Sequence, residues 1–513
     1  MASSSSNNSR RRIPFPLYED EQDQDESRST CTTPSDHFLA QRPVTPRTSR
    51  NQQDDFDTST LAAADFDVSV ETGFLPPQEP VQSLEGLGKG WKEMEDCLTN
   101  VGKEVRKIRG GGVGKLSENF RKSIKSLPDV DTSVLTTLPL LRRAHTLLAH
   151  LVHYYMHSSY PSQTVVPRSL AIPLVYTSDR LGVPPILTYA DTVLWVWKLI
   201  DRTQPFSPSN VDISTQFTHS RSERAFFLLS LFCEFKGPSI LRLMSSTLDE
   251  TFFRDRVSLF RISNYLKEIS RLIDELKDLL RDAVRGEFGP ESNRQSIEPG
   301  TFYWEIRPWF NGGKWFYQGV GKEMEWGGPS AGQSSLVHAI DLFLGVDHSP
   351  REASQQGGGG QGGGLSDSTF MQRMSTYMPH HHRSFLQHLV SIHSSSSSTS
   401  LPSLRTLVLE HPLELQPSYD RAVLSMKQFR DTHIILATHF IVSQARHSPS
   451  PDSVHFKEWE TKRLEKEKSD KVKQREGNVK GTERDLVVGT GGTDLSSFLK
   501  LCRDRTKEAL IEP

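Results

Sequence analysis

Residues 256–285 read RVSLFRISNYLKEISRLIDELKDLLRDAVR. Apolar side chains recur there at steps of three and four residues, which is the period of an amphipathic α-helix. The pattern predicts a helix from about Arg256 that ends at Gly286, and similar patterns predict helices at about 224–235 and roughly 418–444. Strand-like alternation is scarce and no βαβ pattern occurs, so an all-α fold is predicted. The apolar stripe consists of Leu266, Ile269, Ile273, Leu276, Leu280 and Ala283.

The overall composition fits a cytoplasmic protein. The chain has 513 residues, a formal net charge of −2 and a mean hydropathy of −0.49. The near-neutral charge gives no reason to expect nucleic acid or an anionic membrane as partner. No apolar run approaches the length of a membrane span, and the first residues lack the apolar core of a secretory signal. The four cysteines are far apart, which indicates a reduced, intracellular chain.

Polar tracts interrupt the apolar body of the chain. Residues 1 to about 65 are rich in Ser, Asp, Gln, Arg and Thr without periodicity, so a disordered tail is predicted, with order beginning near Phe66. Three internal tracts, at about 351–367, 394–400 and 448–484, are rich in glycine, serine or charge and are predicted to be loops.

A dense aromatic run is the strongest functional clue. Residues 302–326, FYWEIRPWFNGGKWFYQGVGKEMEW, hold nine aromatic side chains and four of the chain's eight tryptophans. The small-residue block GGPSAGQSS follows at 327–335. Aromatic residues bury large areas, and small residues let a planar group approach the backbone closely. With Arg307 in the run, this pattern suits a flat apolar ligand that carries a carboxylate.

The predicted helix at 418–444 carries a histidine on its apolar stripe. The stripe has a heptad-like spacing, and His433 is its only ionisable member. A neutral imidazole at such a position is either a hydrogen-bonded core residue or a metal ligand, and spacing alone favours the core. His439 falls well off the stripe and is expected at the surface. The stripe consists of Ala422, Met426, Phe429, His433, Leu436 and Phe440.

Several other motifs have plain structural explanations. His380–His382 cannot close one metal site, because adjacent side chains of a helix diverge, and a helix start with exposed rings is expected. RGGGVGKLS at 109–117 departs from the phosphate-loop pattern and is expected to be a flexible turn. Ser230 is either a helix serine bonded to a carbonyl or a pocket hydroxyl. GTGGT at 489–493 either binds an anion or caps the terminal helix.

Taken together, these segments resemble the indoleamine 2,3-dioxygenase family of the fungal type. The resemblance runs from about Phe66 to the C-terminus, with the low-complexity tracts as insertions. SAGQSS and the RxxH segment at Arg430–His433 are its most specific motifs. The matching segments, in order, are VPRSLAIPLVYTSDRLGVPPILTYADTVLW (166–195), FFLLSL (226–231), FYWEIRPW (302–309), SAGQSS (330–335), DLFLG (341–345), YMPHHHRSFL (377–386), RDTHIILATHFI (430–441) and GTGGTDL (489–495).

The resemblance implies an all-helical protein that binds haem b. A small helical domain (66–215) is then expected to cap a large helical haem domain (216–513). In the family the histidine of the RxxH segment is the proximal ligand of the haem iron, so His433 is expected to be that ligand. Arg430 and Asp341 match positions that support the proximal side or a haem propionate. Ser330, Ala331 and Gly332 are expected over the haem face. The roof of the pocket is expected to consist of Tyr189, Thr192, Phe226 and Ser230, with Thr192 near the cofactor.

The family reaction inserts both atoms of dioxygen across the C2–C3 bond of the tryptophan indole and gives N-formylkynurenine. The partners implied are therefore tryptophan, O2 and a cellular reductant, and a monomer is expected. Arg307 is expected to pair with the substrate carboxylate and Thr490 to close over the amino-acid backbone of the substrate. The expected substrate-binding residues are Tyr189, Phe226, Ser230, Phe302, Tyr303, Arg307 and Thr490.

Two departures and two alternatives accompany the resemblance. Tyr303 stands where many members carry phenylalanine, and Pro329 precedes the SAGQSS serine. Trp309, Trp315 and Trp326 are assigned to packing. One alternative is a dioxygenase of another indole. The other is a weakly active paralogue that serves as a haem-binding sensor or interaction protein; the presence of Arg307 beside His433 favours catalysis over that role.

Overall fold

The structure, a computed structural model, describes residues 66–349, 370–391, 402–451, 453–457, 459–461, 463–465 and 495–511. The tail predicted at residues 1–65 lies outside this part of the chain, as do the loops predicted at 351–367 and 394–400 and most of the loop predicted at 448–484. The described residues of that last tract from 456 onward are helical, which corrects the prediction there. Within the described residues, no helix combines the length and the apolarity needed to cross a bilayer.

Helices build most of the described chain, which confirms the predicted all-α class. Most of them are short to medium in length, and α7 and α12 are the long pair. The helices are α1 (Lys89–Lys107), α2 (Glu118–Ser126), α3 (Leu138–Met156), α4 (Arg168–Leu181), α5 (Arg221–Glu234), α6 (Gly237–Glu250), α7 (Arg256–Arg285), α8 (Ser335–Leu344), α9 (Phe370–Ser375), α10 (His380–Ser391), α11 (Leu404–Glu410), α12 (Pro412–Ala437) and α13 (Leu495–Lys507).

The helix predicted from about Arg256 to Gly286 is confirmed as α7. Its start is capped by Asp255, whose side chain accepts a hydrogen bond from the Ser258 amide at 2.7 Å. Its end is Gly286, which adopts a φ of 121° that side-chain-bearing residues rarely tolerate. The apolar stripe of α7 is buried and packs along α12, so these two helices form the scaffold on which the other helices assemble.

Two hydrophobic clusters make up the core. One joins α1–α5 to the aromatic segment after residue 301. The other joins α6–α8 to α10–α12 and includes Phe66 and Phe74 from the start of the described chain. Each cluster therefore takes residues from both sides of position 215, where the boundary between a small and a large domain was predicted. That two-domain division stays a prediction.

Short strands accompany the helices, and one hairpin lies inside the aromatic run. β4 pairs antiparallel with β5 and parallel with β1, while β2 pairs antiparallel with β3. In β4, Trp315 and Tyr317 are buried and Phe316 between them is exposed, which is the alternation of a half-covered strand. The hairpin was not predicted. The strands are β1 (Val165–Val166), β2 (Trp197–Leu199), β3 (Val211–Ile213), β4 (Gly313–Tyr317) and β5 (Lys322–Trp326).

Buried histidines on α3 hold the backbone next to the aromatic segment. His153 Nδ1 donates to the Trp309 carbonyl at 2.7 Å, and His157 Nε2 donates to the Asn311 carbonyl at 2.8 Å. His153 Nε2 also accepts from the Leu187 amide at 3.3 Å. A ring that donates at one nitrogen and accepts at the other is neutral, so α3 positions this segment with uncharged imidazoles.

Because these histidines are buried, we expect the folded protein to lose stability in mild acid. Burial lowers the pKa of His153 to about 3 and the pKa values of His150 and His157 to about 4. The unfolded chain takes up protons as pH falls through about 6.5, whereas the folded chain does not. The free energy of unfolding should therefore fall by about 1.4 kcal/mol per pH unit and per histidine as pH drops from 6.5 towards 4.

Chemical denaturation between pH 7.5 and pH 5 measures this loss. The variant His157→Gln keeps a side-chain donor without a titrating ring, so its free energy of unfolding should depend less steeply on pH than that of the wild type. Equal slopes for the two proteins would contradict the assignment.

Two predictions about short motifs need correction. α10 begins at His380, as expected, but His382 is only 1% exposed and lies against Asp67. Its ring is buried because the neighbouring Asp67–Arg142 ion pair and Phe74 cover it. The glycine-rich segment at 109–117 is a turn with several glycines at positive φ. It is nevertheless closely packed, since a Cβ on Gly111 would come within 2.8 Å of the Glu305 backbone.

Candidate functional site

A large cavity opens between α5, α12 and the aromatic segment. Its empty space, including the open mouth, is about 1840 Å³, and most of its wall is apolar. The polar groups among the described lining residues are a few hydroxyls, two thiols, two arginines and one histidine, and no carboxylate is among them. A wall of this kind suits apolar ligands that carry negative groups.

His433 faces this cavity from α12. The apolar stripe of that helix starts in the core at Ala422 and Met426, and its later members line the cavity. Burial, with a smaller contribution from Arg430, lowers the pKa of His433 to about 4. No described residue forms a hydrogen bond with its ring, so a neutral imidazole is presented to the cavity. His439, expected at the surface, is half-buried and its ring packs edge-on against Phe440.

A buried ion pair holds the helix turn that precedes His433. Arg430 donates to both carboxylate oxygens of Asp341 on α8, at 2.9 and 2.5 Å, and also to Thr506 on α13. His348 adds a contact to Asp341 at 3.0 Å. The Arg430 guanidinium holds the pKa of Asp341 well below its usual range, against the effect of burial. Arg430 lines the cavity while Asp341 lies behind it, so the pair ties α8, α12 and α13 together beneath His433.

The aromatic segment changes helix type just where its functional side chains stand. A single α-turn, Pro299–Thr301, is followed by a π-helical turn, Phe302–Ile306, and a 3₁₀ turn, Arg307–Phe310. Glu298 caps the first turn by accepting from the Gly300 amide at 3.0 Å. A π-turn places residues five apart on one face, and Phe302 and Arg307 both line the cavity.

Arg307 is held above an aromatic ring. Its guanidinium carbon lies 5.5 Å from the centre of the Tyr303 ring, a cation–π contact. Burial lowers the pKa of Arg307, and the proximity of Tyr303 opposes that shift. Tyr303 itself is not among the cavity-lining residues. Its position therefore supports Arg307 from behind instead of forming the wall that was expected.

The roof residues come from α5 and from a second π-helical turn. Phe226 and Ser230, four residues apart on α5, both line the cavity, and the Phe226 ring packs on Phe302 at 4.6 Å. Tyr189 and Thr192 line it from the turn Ala190–Leu194 and the residue before it. Asp191 fixes that turn by accepting from the Thr188 amide at 2.9 Å.

The SAGQSS loop forms another wall. Ser330, Ala331 and Gly332 all line the cavity, and the Ser330 hydroxyl accepts from the Gly332 amide at 3.2 Å. The preceding Gly328 lies so close to the Phe310 carbonyl that a Cβ there would overlap it. A loop of small residues at this place lets a flat ligand approach its backbone.

The structure brings together most of the predicted site residues. Asp341 and Tyr303 lie just behind the wall, and Thr490 lies outside the described residues. The packing assigned to Trp309 and Trp315 is confirmed, because both are at most 4% exposed. The predicted residues on the cavity wall are Tyr189, Thr192, Phe226, Ser230, Phe302, Arg307, Ser330, Ala331, Gly332, Arg430 and His433.

Sequence reasoning missed part of the wall and one group behind it. Val337, Met371 and Leu499 line the cavity from α8, α9 and α13, and no pattern in the sequence distinguishes them from core residues. Glu234 lies buried behind the roof. It is the one acid in the apolar run that follows Ser230, and its spacing of four residues from Ser230 was a signal that could have found it.

Comparison with known proteins identifies the family of the chain. The model of the indoleamine 2,3-dioxygenase family matches residues 62–509. Indoleamine 2,3-dioxygenase acdA of Aspergillus candidus is 29% identical over 474 residues, which cover 88% of this chain and 98% of the relative. Indoleamine 2,3-dioxygenase 1 of Rattus norvegicus is 28% identical over 87% of this chain and 95% of its own length. The 6-hydroxytryptophan 2,3-dioxygenase fscD of Fusarium equiseti is 26% identical, over 87% and 97%.

The family match identifies a haem-dependent oxidoreductase of the dioxygenase class, and the helical fold with a histidine facing a large apolar cavity agrees with that class. Since the family model spans most of its length, the chain belongs to the indoleamine 2,3-dioxygenase family. The resemblance seen in the sequence is thereby confirmed, and haem b is the cofactor of that family.

Proposed function

We propose that this protein cleaves the indole C2–C3 bond of tryptophan with O2 to give N-formylkynurenine, the first step of the kynurenine pathway. The observation that carries the proposal is that His433 and Arg307 face one cavity. The first suits a haem ligand and the second suits a substrate carboxylate. A haem protein that only senses or recruits would need His433 but not Arg307. We further propose a cytoplasmic monomer that depends on a cellular reductant.

The described residues fit haem on two observations. The His433 imidazole is neutral, and neither ring nitrogen is hydrogen-bonded to the described residues, so a nitrogen is available to bind iron. A mainly apolar wall, with the small residues of the SAGQSS loop on one side, leaves room for a flat macrocycle. His433 would therefore hold the iron, and the Arg430–Asp341 pair would orient its helix. Ser330, Ala331, Gly332 and Thr192 would contact the macrocycle.

The substrate would lie against the aromatic and hydroxyl residues of the roof. Phe226 and Phe302 offer flat apolar surfaces to the indole, with Tyr189 and Ser230 beside them. Arg307 would bind the carboxylate, and its cation–π contact with Tyr303 would orient the guanidinium. We also assign Thr490 to the amino-acid end of the substrate, from the family motif alone.

Haem, when bound, supplies the binding and activation of dioxygen. The protein's own contribution is orientation and exclusion of water. The apolar wall removes solvent from the reacting indole, and Arg307 fixes its direction through an ion pair far from the ring. None of the described lining residues is a carboxylate that could exchange a proton with the substrate or with bound oxygen.

A hydroxylated tryptophan is a second candidate substrate, because one relative is a 6-hydroxytryptophan 2,3-dioxygenase. Steady-state assays of the reduced holoprotein with L-tryptophan, D-tryptophan and 6-hydroxytryptophan distinguish the candidates. We expect the highest kcat/KM for L-tryptophan. A higher value for 6-hydroxytryptophan would transfer the proposal to that substrate, and no turnover of any indole by fully haem-loaded protein would favour the sensor.

A further inference from the structure

A buried carboxyl joins three walls of the cavity from behind. Glu234 Oε1 accepts a hydrogen bond from the Tyr189 hydroxyl at 2.8 Å and another from the Ser334 hydroxyl at 2.9 Å. Glu234 ends α5, Tyr189 precedes the π-helical turn and Ser334 closes the SAGQSS loop. One oxygen atom therefore connects three segments that are distant in sequence.

The spacing on α5 places Glu234 in line with the roof. Phe226, Ser230 and Glu234 follow one another at intervals of four, so they share one face of the helix. The first two line the cavity, whereas Glu234 is 2% exposed and is not a lining residue. Its carboxyl is therefore placed to hold the wall and not to touch a ligand.

A second set of hydrogen bonds connects Tyr189 to the same loop. The Tyr189 amide donates to Gln333 Oε1 at 2.8 Å, and Gln333 Nε2 donates to the Gly328 carbonyl at 2.9 Å. Tyr189 is thus attached to the loop Gly328–Ser334 through its backbone and, by way of Glu234, through its hydroxyl. The relative placement of the Tyr189 ring and the loop depends on both attachments.

The chemistry of the carboxyl supports this role. Burial raises the pKa of Glu234 to about 7, and the bonds from Tyr189 and Ser334 oppose that shift. The nearby cation Lys236 pairs instead with Glu275 on α7 at 2.5 Å. Burial, together with Glu234, raises the pKa of Tyr189, so its hydroxyl stays a donor. An acceptor is what the two hydroxyls need, and either form of the carboxyl provides one.

We propose that Glu234 is a positioning residue for the substrate. It fixes the Tyr189 ring and the Ser330–Gly332 backbone relative to the face of α5 that carries Phe226 and Ser230. It thereby sets the width of the slot that receives a planar indole. The proposal rests on the proposed function and extends it to a residue that contacts neither haem nor tryptophan. Loss of the acceptor would leave two buried hydroxyls without their partner and would let the wall widen.

Two variants of Glu234 distinguish the effect of losing the hydrogen-bond acceptor from the effect of changing the side-chain volume. Glu234→Met keeps the volume but removes the acceptor, and we expect the KM for tryptophan to rise about tenfold or more with a smaller change in kcat. Glu234→Gln keeps an acceptor oxygen, and its KM should stay within about threefold of the wild type. Glu275→Gln, which alters the acid that pairs with Lys236, is the matched control and should leave KM unchanged.

Amide hydrogen exchange provides a readout that does not need turnover. In Glu234→Met, exchange at residues 188–192 and 328–334 should be faster than in the wild type, both with and without haem, while Glu234→Gln stays protected. Wild-type exchange rates and KM in Glu234→Met would overturn the proposal. An equal rise of KM and of exchange in Glu234→Met and Glu234→Gln would overturn it as well. If Glu234→Met does not fold, Tyr189→Phe and Ser334→Ala each remove one hydrogen bond to Glu234, and each should raise the KM for tryptophan. A wild-type KM in both variants would overturn the proposal.

The exchange experiment also keeps this inference apart from the proposed function. If the wild type does not turn over tryptophan, the proposed substrate is wrong. Faster exchange in Glu234→Met would still support the tie between Tyr189 and the loop, and unchanged exchange would overturn it.

Discussion

Replacement of His433 by alanine is expected to abolish stable haem binding. The imidazole is neutral near physiological pH because burial lowers its pKa to about 4. His433 is the only histidine among the described residues on the cavity wall, which also carries two cysteine thiols. Burial raises the pKa values of those thiols, Cys233 and Cys502, to about 12, which disfavours the thiolate form that binds metal. Affinity for haemin should fall roughly a hundredfold or more.

Titration of the apoprotein with haemin, followed by the Soret band, measures this loss. His439→Ala is the matched control, because His439 lies close to His433 in the chain and is not among the cavity-lining residues. It should bind haemin as the wild type does. Added imidazole should restore part of the Soret band in His433→Gly, since free imidazole can enter the space left by the ring. An unchanged Soret band in His433→Ala would disprove the ligand assignment.

Replacement of Arg307 by alanine is expected to leave haem in place and to weaken tryptophan binding. A charge-assisted pair with a carboxylate in a water-poor site contributes about 1.5–3 kcal/mol, so KM should rise by roughly ten- to a hundredfold. The change should be larger in KM than in kcat, because the ion pair is made in the ground state as well as in the transition state. Steady-state kinetics at equal haem content measures both constants.

Two further variants sharpen the test of Arg307. Arg307→Lys keeps the charge but loses the planar donor pair and should fall between alanine and the wild type. Arg294→Ala alters an exposed arginine a short distance before the aromatic segment and should behave as the wild type. A KM for tryptophan in Arg307→Ala indistinguishable from the wild type would remove the carboxylate role from Arg307.

Periodicity was enough to predict the scaffold. The stripes of α7 and α12 are regular because both helices bury one face against each other, and burial of one face is what a period of 3.6 records. His433 could be placed on the inner face for the same reason. Periodicity could not decide between core packing and ligation, since both need an inward-facing ring. The family motifs and the cavity next to the stripe supply that distinction.

Other features depend on contacts between distant segments and leave little trace in the local sequence. His382 was expected to be exposed, because nothing near it in the chain reveals Asp67 and Arg142 beside it. Tyr303 was expected on the wall, but the π-turn sends Phe302 and Arg307 inward and leaves Tyr303 behind the guanidinium. The hairpin β4–β5 was missed because its aromatic residues resembled a ligand surface more than an alternating strand.

We propose that this chain inserts both atoms of O2 into tryptophan when haem is held by His433. A single-turnover reaction of the reduced holoprotein with L-tryptophan under oxygen-18 gas, analysed by mass spectrometry, tests it most directly. We expect N-formylkynurenine that carries two oxygen-18 atoms, formed by the wild type and not by His433→Ala. A product with one labelled atom, or no product from fully haem-loaded protein, would contradict it.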